Sequence, residues 1–151
     1  MLNVVLWEPE IPPNTGNVAR LCVANDVALH LIGPLGFQIN DRQLRRAGLD
    51  YWQHVNLTCY DDWSHFQAVQ SQCNPYCYSA HAVRRFTEVQ YCGDDWLLFG
   101  SETRGLPASI ISEHKDRVLT VPMLTTRARS LNLATTVGIV LYEALRQIHE
   151  W

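Results

Sequence analysis

The chain has 151 residues, of which 47% are hydrophobic and 18% are charged, with a formal net charge of −3 at pH 7. This size and balance are typical of a single globular domain, here residues 1–151, and exclude a disordered chain. The acidic charge argues against binding nucleic acid by bulk positive charge, and no apolar run approaches the roughly 18 residues of a membrane span. Five scattered cysteines, an odd number, indicate a reducing compartment, so we expect a cytoplasmic protein.

Short apolar runs alternate with helical patterns along the chain. The first half predicts a strand at Asn3–Trp7, a proline-rich turn at Glu8–Thr15, a helix to about Asn25 with Asn14 or Thr15 as N-cap, a strand at Ala28–Ile32, a helix from Asn40 through Ala47, and a strand at Asn56–Tyr60. The second half predicts a helix at Asp61–Gln72, strands at Tyr76–Ser79 and Trp96–Gly100, a short helix at Pro107–Ser112, a strand at Val118–Val121 and a last helix from about Asn132. This alternation predicts an α/β fold: a mostly parallel sheet with helices on both faces, and ligand sites beyond the carboxyl ends of the strands.

Several common catalytic and binding motifs are missing. Gly100–Gly105 has the glycine spacing of a P-loop, but Leu106-Pro107 follows where lysine and a hydroxyl residue are required. No G-x-G-x-x-G follows the first strand, and no G-x-S-x-G occurs. Cys73, Cys77 and His81 are spaced by four, yet without a second ligand pair they favour core cysteines and a loop histidine over zinc. We therefore predict no metal site.

The basic residues are almost all arginine, and Lys115 is the one lysine. Arginine binds phosphate with two parallel hydrogen bonds, which lysine cannot do. Seven of the arginines cluster: Arg42, Arg45 and Arg46; Arg84 and Arg85; Arg127 and Arg129. These clusters fit either local phosphate binding or solvated surface, and composition leaves both readings open.

Three segments are unusual. Pro9–Asn17 (PEIPPNTGN) is a rigid proline-rich loop, and Phe99–Pro107 (FGSETRGLP) is a polar loop directly after an apolar strand. Val121–Leu133 (VPMLTTRARSLNL) is a long polar loop that leads into the last helix, with Ser130 or Asn132 as its cap. Each alone fits an ordinary connection. Because all three follow strand ends, we expect them to form one composite site.

Longer stretches around these segments carry a resemblance to a known family: LNVVLWEPEIPPNTGNVARLC, RRAGLDYW at Arg45–Trp52, FGSETRGLPASI and RSLNLATTVGIVLYEALRQ. Over residues 1–150 the chain resembles the SPOUT superfamily of RNA 2′-O-methyltransferases, in particular its small members that methylate the wobble ribose of tRNA. The resemblance implies a C-terminal trefoil knot, S-adenosyl-L-methionine as methyl donor with S-adenosyl-L-homocysteine as product, and no metal. It further implies a homodimer with the first and last helices at the interface, and tRNA nucleotide 34, a cytidine or modified uridine, as target, with leucine tRNAs expected.

The same resemblance implies which residues contact the cofactor. They come from three loops, with Asn132 supporting the last: Tyr78, Ser79, Gly100, Glu102, Gly105, Val121, Met123, Ser130, Leu131 and Asn132. A glycine at position 100 or 105 would let the backbone approach adenosine closely. The chain departs from the family at position 78, where a smaller aliphatic residue is usual, and before Ser130, where it reads Thr-Thr-Arg-Ala-Arg instead of the commoner acidic-serine form.

Arg20 matches the arginine that the family uses to activate the ribose hydroxyl, and Asn14 would position either Arg20 or the ribose. A guanidinium keeps its proton near neutral pH, so we expect Arg20 to orient a substrate phosphate and stabilise developing negative charge. Tyr142, off the apolar stripe of the last helix, would face the partner subunit or the tRNA. The expected tRNA contacts are Arg42, Arg45, Arg46, Arg127, Arg129 and Tyr142. The alternatives are methylation of another tRNA or rRNA position and a non-catalytic RNA-binding module.

Overall fold

The computed structural model describes residues 1–40, 42, 46 and 51–151. Most of the helix predicted between Asn40 and Ala47 lies outside the described residues, and so does Arg45. The strands are β1 (Asn3–Trp7), β2 (Ala28–Ile32), β3 (Leu57–Tyr60), β4 (Tyr76–Tyr78), β5 (Trp96–Phe99) and β6 (Val118–Leu119). The α-helices of the described residues are α1 (Pro12–Ala24), α2 (Trp63–Val69), α3 (Ala108–Glu113) and α4 (Leu133–His149). Short 3-10 turns lie at Trp52–His54, Phe86–Glu88 and Lys115–Arg117.

The six strands form one parallel sheet in the order β3-β2-β1-β5-β4-β6. On one side of β1 lie β2 and then β3, in chain order. On the other side lie β5, β4 and β6, counted outward from β1. The direction of winding therefore reverses between β1 and β5, where Leu6 lies opposite Phe99. Loops beyond the carboxyl ends of two such strands diverge and leave a crevice, which is the usual ligand position in open α/β sheets.

Both faces of the sheet are covered, as the sequence predicts. Val4 and Leu6 point towards α1 and α4, whereas Val5 points towards α2 and α3, because side chains alternate along a strand. All three are fully buried. The apolar face predicted for the last helix packs against the sheet and α1. The α/β prediction is confirmed, and every strand pair is parallel.

Several boundaries differ from the prediction by one to three residues, as in α2, which spans Trp63–Val69 where Asp61–Gln72 was expected. The first helix begins at Pro12 with Ile11 as its N-cap, so Asn14 and Thr15 lie inside its first turn and are buried. The prediction of Asn14 or Thr15 as N-cap was wrong, because two prolines can start a helix where no backbone N–H is needed. The strands predicted to reach Ser79, Gly100 and Val121 end one or two residues earlier, which leaves these residues in loops.

Within the described ranges, no helix combines the length and apolar character needed to cross a membrane. In the same part of the chain, no three histidine, cysteine or acidic side chains group closely enough to hold a metal ion.

His30, in β2, is a buried polar side chain within the sheet. Its Nδ1 lies 3.0 Å from the Tyr60 hydroxyl and its Nε2 lies 3.2 Å from Asn3 Oδ1. The Tyr60 hydroxyl also accepts a hydrogen bond from Gln70, so it can donate to His30 Nδ1. This arrangement satisfies a neutral ring, and burial lowers the pKa of His30 from 6.5 to about 4.

We expect acid to destabilise the fold through His30. In the unfolded chain this histidine takes up a proton below about pH 6.5, whereas in the folded chain it does so only near pH 4. The free energy of unfolding should therefore fall across this window, by roughly 3 kcal/mol in total from this group. Urea denaturation of the wild type and of His30→Gln between pH 7 and pH 4 measures it. The stability difference between the two proteins should shrink as the pH falls, and a constant difference would contradict the assignment.

Candidate functional site

The Glu102 carboxylate joins the loop after β5 to the start of α1. Its Oε2 accepts the backbone N–H of Glu10 at 2.8 Å, and its Oε1 accepts the backbone N–H of Ile11 at 3.0 Å. Oε1 also accepts Asn14 Nδ2 at 3.3 Å. These contacts span 88 to 92 residues of sequence. Two of the three predicted segments therefore meet at one carboxylate.

The start of α1 explains why a carboxylate is needed there. The first N–H groups of a helix have no partner within the helix. Pro12 and Pro13 have no N–H to satisfy, and the N–H of Asn14 bonds to the Ile11 carbonyl at 3.1 Å. The N–H of Ile11 is left for Glu102. The carboxylate also lies at the positive end of the helix dipole, which favours its charge.

Asn14 connects this junction to the third predicted segment. Its Oδ1 accepts a hydrogen bond from Asn132 Nδ2 at 2.9 Å, while its Nδ2 is held by Glu102. Asn132 is the N-cap of α4, where its Oδ1 accepts the N–H of Thr135 at 3.1 Å. Of the two caps considered from sequence, Asn132 is the one the structure uses. The buried amide of Asn14 thus ties all three segments together.

A second polar layer at the same junction was not predicted. Thr103 Oγ1 donates to the carboxylate of Glu10, at 2.7 Å from Oε1, and this hydrogen bond lowers the pKa of Glu10. Arg104 pairs with Glu8 at 3.0 Å and lies over the Trp7 ring at 5.2 Å. The sequence shows Glu8 and Glu10 in the proline-rich loop, but it does not show what they bond to. Their partners are more than 90 residues away and become visible only in the fold.

The two glycines of the β5 loop close that loop on itself. A side chain at Gly100 would collide with the backbone of Gly105 and Leu106. Gly105 has φ +64°, and its N–H bonds to the Ser101 carbonyl at 2.9 Å. Close packing of backbone within the loop therefore explains why position 100 is a glycine. The space beside Gly105 is open, with no atom within 4 Å of a built Cβ.

The structure places the side chain of Tyr78 in the core. Its ring stacks on Phe99 with centroids 4.6 Å apart, and its hydroxyl lies 3.1 Å from that of Tyr91. Because Tyr91 donates to the Phe86 carbonyl at 2.8 Å, the Tyr78 hydroxyl is the donor of the pair. Burial raises the pKa of Tyr78 well above 10. The side chain of Tyr78 is therefore enclosed in the core, and only its main chain is left to contact a ligand.

The segment from 121 to 131 is the open side of the site. Val121 and Met123 are half-buried, while Ser130 and Leu131 are exposed. Arg127 and Arg129 are exposed in the same segment, as are Arg42 and Arg46 elsewhere. In the described part of the chain, the backbone groups of 122–131 take part in a single hydrogen bond, from Arg127 to Thr125 Oγ1.

Arg20 is exposed on α1, and its partner is Tyr51. Its guanidinium donates to the Tyr51 hydroxyl at 3.3 Å and lies 4.8 Å from the centre of that ring. Asn14 is bonded to Glu102 and Asn132, so it does not hold Arg20 by a hydrogen bond. Tyr51 belongs to a stretch that carried the family resemblance, but nothing in the sequence pointed to this contact.

Tyr142 lies on the exposed side of α4, where 46% of its surface is accessible. Its hydroxyl lies 3.5 Å from Asn25 Nδ2, and its ring is 6.5 Å from that of Trp151. This position fits contact with another molecule more readily than packing within the chain.

Replacing Glu102 by glutamine should destabilise the protein. An amide has one acceptor oxygen and directs its NH₂ at one of the two backbone N–H groups, so at least one bond is lost. We expect a loss of about 1–3 kcal/mol in the free energy of unfolding. Glu113→Gln is the matched control, because Glu113 is exposed at the end of α3 and its change should stay within about 0.5 kcal/mol. Equal stability of the two variants in urea denaturation would contradict this role.

The chain is similar in sequence and in fold to known proteins. A tRNA (cytidine(34)-2′-O)-methyltransferase of Escherichia coli K12 is 44% identical over 152 residues, covering 98% of this chain and 94% of the relative. A solved structure described as giving insight into the 2-OH methylation of C/U34 on tRNA superposes with a TM-score of 0.94 at 43% identity, covering 100% of this chain and 98% of the other.

A more distant structure, an AdoMet-bound rRNA methyltransferase from Sinorhizobium meliloti, has a TM-score of 0.86 at 24% identity and shares the fold over 96% of this chain and 56% of its own. The model of the SpoU rRNA Methylase family matches residues 1–142. Because that match runs through all three segments joined at Asn14, the chain belongs to the SpoU rRNA methylase family.

Proposed function

We propose that this protein transfers a methyl group from S-adenosyl-L-methionine to the ribose 2′-hydroxyl of nucleotide 34, a cytidine or modified uridine, in tRNA. The observation that carries the proposal is the junction of three loops at Asn14, beside the crevice between β1 and β5. The near full-length similarity to proteins named for this reaction supports the choice of substrate. A tRNA substrate is found in the cytoplasm, where we propose that the enzyme acts.

The loops offer what S-adenosyl-L-methionine requires. Space is open beside Gly105, and the backbone groups of 122–131 are available to bond the edge of a base. Thr15 Oγ1 and Ser101 Oγ are buried without a hydrogen-bond partner in the described chain. The residues that we propose to hold the cofactor are the main chain of Tyr78, with Ser79, Gly100, Gly105, Val121, Met123, Ser130 and Leu131.

We assign Glu102 a supporting part in place of the cofactor contact expected for it, and Asn132 the supporting part that was expected. Their side chains already bond to α1, so we assign them to holding the loops in place. The cofactor would supply a methyl group bonded to a positively charged sulfur. When the methyl group is transferred, the sulfur leaves as a neutral thioether, so no metal is needed to activate it.

The protein must align the 2′-hydroxyl and help it lose its proton. Arg20 cannot accept that proton near neutral pH, but its guanidinium can bind the adjacent phosphate and stabilise negative charge on the attacking oxygen. The phosphate held by Arg20 is then positioned to receive the proton. Tyr51 limits where the guanidinium can lie. The exposed arginines Arg42, Arg46, Arg127 and Arg129 would bind neighbouring phosphates.

We also propose that the active form is a homodimer and that the C-terminal part is threaded as a trefoil knot. Ile139 and Tyr142 lie three residues apart on the outer side of α4, 38% and 46% exposed, and Trp151 beyond them is 65% exposed. Such an apolar stripe fits a two-fold interface with a second copy. The knot is supported by family membership, and the placing of β6 outside β4 after β5 is compatible with it.

Two variants should separate catalysis from cofactor binding. Arg20→Ala should abolish methyl transfer to tRNA while keeping affinity for S-adenosyl-L-homocysteine, because Arg20 lies outside the cofactor loops. Ser130→Leu should weaken that affinity by filling ligand space; Gly105→Val is less informative, since its φ of +64° strains any side chain. Calorimetry and a tRNA methylation assay test both, with Lys115→Ala as a control for loss of an exposed cation. Wild-type turnover of Arg20→Ala would refute its role.

Mapping ribose methylation in the tRNA products of the same assay tests the target. Methyl groups at nucleotide 34, in leucine tRNAs first, are the expected result. Methylation at another tRNA or rRNA position would keep the chemistry and refute the assignment, whereas a protein that binds tRNA but not the cofactor would be a binding module.

Ile139→Glu should convert the dimer to a monomer of 17.3 kDa and reduce activity, because a carboxylate would be buried at the interface. Val69→Glu, the same kind of change at a 54% exposed position on α2, should leave the dimer intact. Sedimentation at micromolar concentration distinguishes the two states. A monomeric wild type with full activity would refute the homodimer as the active form.

A further inference from the structure

Residues 79–88, here called the basic turn, follow the carboxyl end of β4, and those after Ser79 have no role in the mechanism above. The side chains of His81, Arg84 and Arg85 are exposed, and Val83 is 95% exposed. An apolar side chain so far in solvent, beside two adjacent arginines, has no role in packing this chain.

The backbone of the basic turn is held at both ends. Ser79 Oγ accepts the N–H of His81 at 3.2 Å, next to the end of β4. Further along, Thr120 donates its N–H to the Arg84 carbonyl at 2.8 Å and accepts the N–H of Phe86 at 3.0 Å. These hydrogen bonds fix the backbone of the turn against the residue that follows β6. The Cα atoms that carry the exposed side chains are therefore held in place.

The two arginines differ in what they contact. The Arg84 guanidinium donates to the carbonyls of Asp116 at 3.4 Å and Glu88 at 3.2 Å, so it fastens the turn to its neighbours. The Glu88 carboxylate accepts the backbone N–H of Arg85 at 3.0 Å. Across the described residues, no carboxylate lies within 4.0 Å of the Arg85 guanidinium. The exposed Arg85 guanidinium thus has no ion-pair partner among the described residues.

The position of the turn relates it to the proposed site. It begins at Ser79 in the first cofactor loop, and its far end pairs with Thr120, directly before the third loop at Val121. A nucleotide whose ribose is presented between those loops carries phosphates on both sides. The basic turn lies at the outer edge of the sheet, beside β6. The RNA chain that leads away from the bound nucleotide would pass there.

We propose that the basic turn binds the sugar-phosphate backbone of the tRNA next to the methylated nucleotide, with Arg85 as phosphate ligand and Val83 in contact with an unstacked base or ribose. The proposal rests on the proposed function, since it extends the same RNA path. Guanidinium is the side chain best matched to phosphate, and single-stranded RNA exposes apolar base faces that a neighbouring methyl group can cover.

The test compares Arg85→Gln with Lys115→Gln. Both remove one exposed positive charge, but Lys115 lies before β6, at the opposite end of that strand from the basic turn. Binding to tRNA is measured between 50 and 200 mM salt for these variants, and affinity for S-adenosyl-L-homocysteine and tRNA methylation are measured in parallel.

For Arg85→Gln we expect tRNA affinity to fall several-fold and the slope of log affinity against log salt to decrease by about 0.7–1, as for loss of one phosphate contact. The KM for tRNA should rise while kcat and cofactor affinity stay unchanged. Val83→Glu, which adds a carboxylate at the same surface, should weaken binding further. Lys115→Gln should behave as the wild type.

If Arg85→Gln and Val83→Glu bind tRNA like Lys115→Gln, the basic turn is not an RNA contact and the inference is overturned, while wild-type methylation of tRNA leaves the proposed function standing. A wild type that neither binds nor methylates tRNA would overturn the proposed function itself.

Discussion

The Glu102 carboxylate at the start of α1 is the contact on which the site depends. A parallel sheet brings the carboxyl ends of β1 and β5 together but leaves the loops beyond them free to diverge. Here one side chain from the β5 loop accepts two backbone N–H groups of the β1 loop and orients Asn14, which in turn holds the cap of α4. Three loops far apart in sequence are therefore held in fixed positions relative to one another. A substitution at Glu102 would weaken the contacts of both α1 and α4.

Much of the fold could be predicted from local pattern. β1 and β2 match their predicted bounds because a strand buried on both faces is a short continuous apolar run between turn residues. The start of α1 could not be placed in this way. The usual preference for Asn or Thr as N-cap pointed to positions 14 and 15, but the two prolines move the start to Pro12 and free the Asn14 side chain for a contact with residue 132.

The site was predicted as three segments and not as a set of bonds. The position of each segment after a strand was enough to expect that they meet. The directions of their side chains were not predictable, because they depend on partners that lie between 13 residues (Tyr78 and Tyr91) and 118 residues (Asn14 and Asn132) apart in sequence. The Glu102 carboxylate is bonded to backbone of the first segment, the Tyr78 side chain is part of the core, and the Tyr51 hydroxyl accepts a hydrogen bond from Arg20.

The distribution of the acidic side chains reconciles a net charge of −3 with an RNA substrate. Glu10 is bonded to Thr103, Glu8 to Arg104 and Glu143 to Arg146, while Glu102 is bonded to backbone. The Glu8 and Glu143 carboxylates are thus paired with arginines at short range, whereas Arg20 contacts a tyrosine and Arg85 faces solvent. Net charge governs attraction at a distance, and beyond about 8–10 Å that attraction is screened at physiological salt. Binding then depends on which charges are locally unpaired, so a weakly acidic protein can bind phosphate at specific arginines.

The two sides of the site differ in how firmly they are held. Asn14 is buried and bonded to both Glu102 and Asn132, but residues 122–131 are largely exposed and make few hydrogen bonds among the described residues. Fixing an exposed segment against a ligand costs conformational entropy, which reduces the net affinity. The segment ends at Asn132, and Asn132 is bonded to Asn14 in the first turn of α1. Contacts of the cofactor with this segment would therefore reach α1, the helix that carries Arg20, through the bond between Asn132 and Asn14. This connection favours a site that is complete for the ribose only after the cofactor has bound.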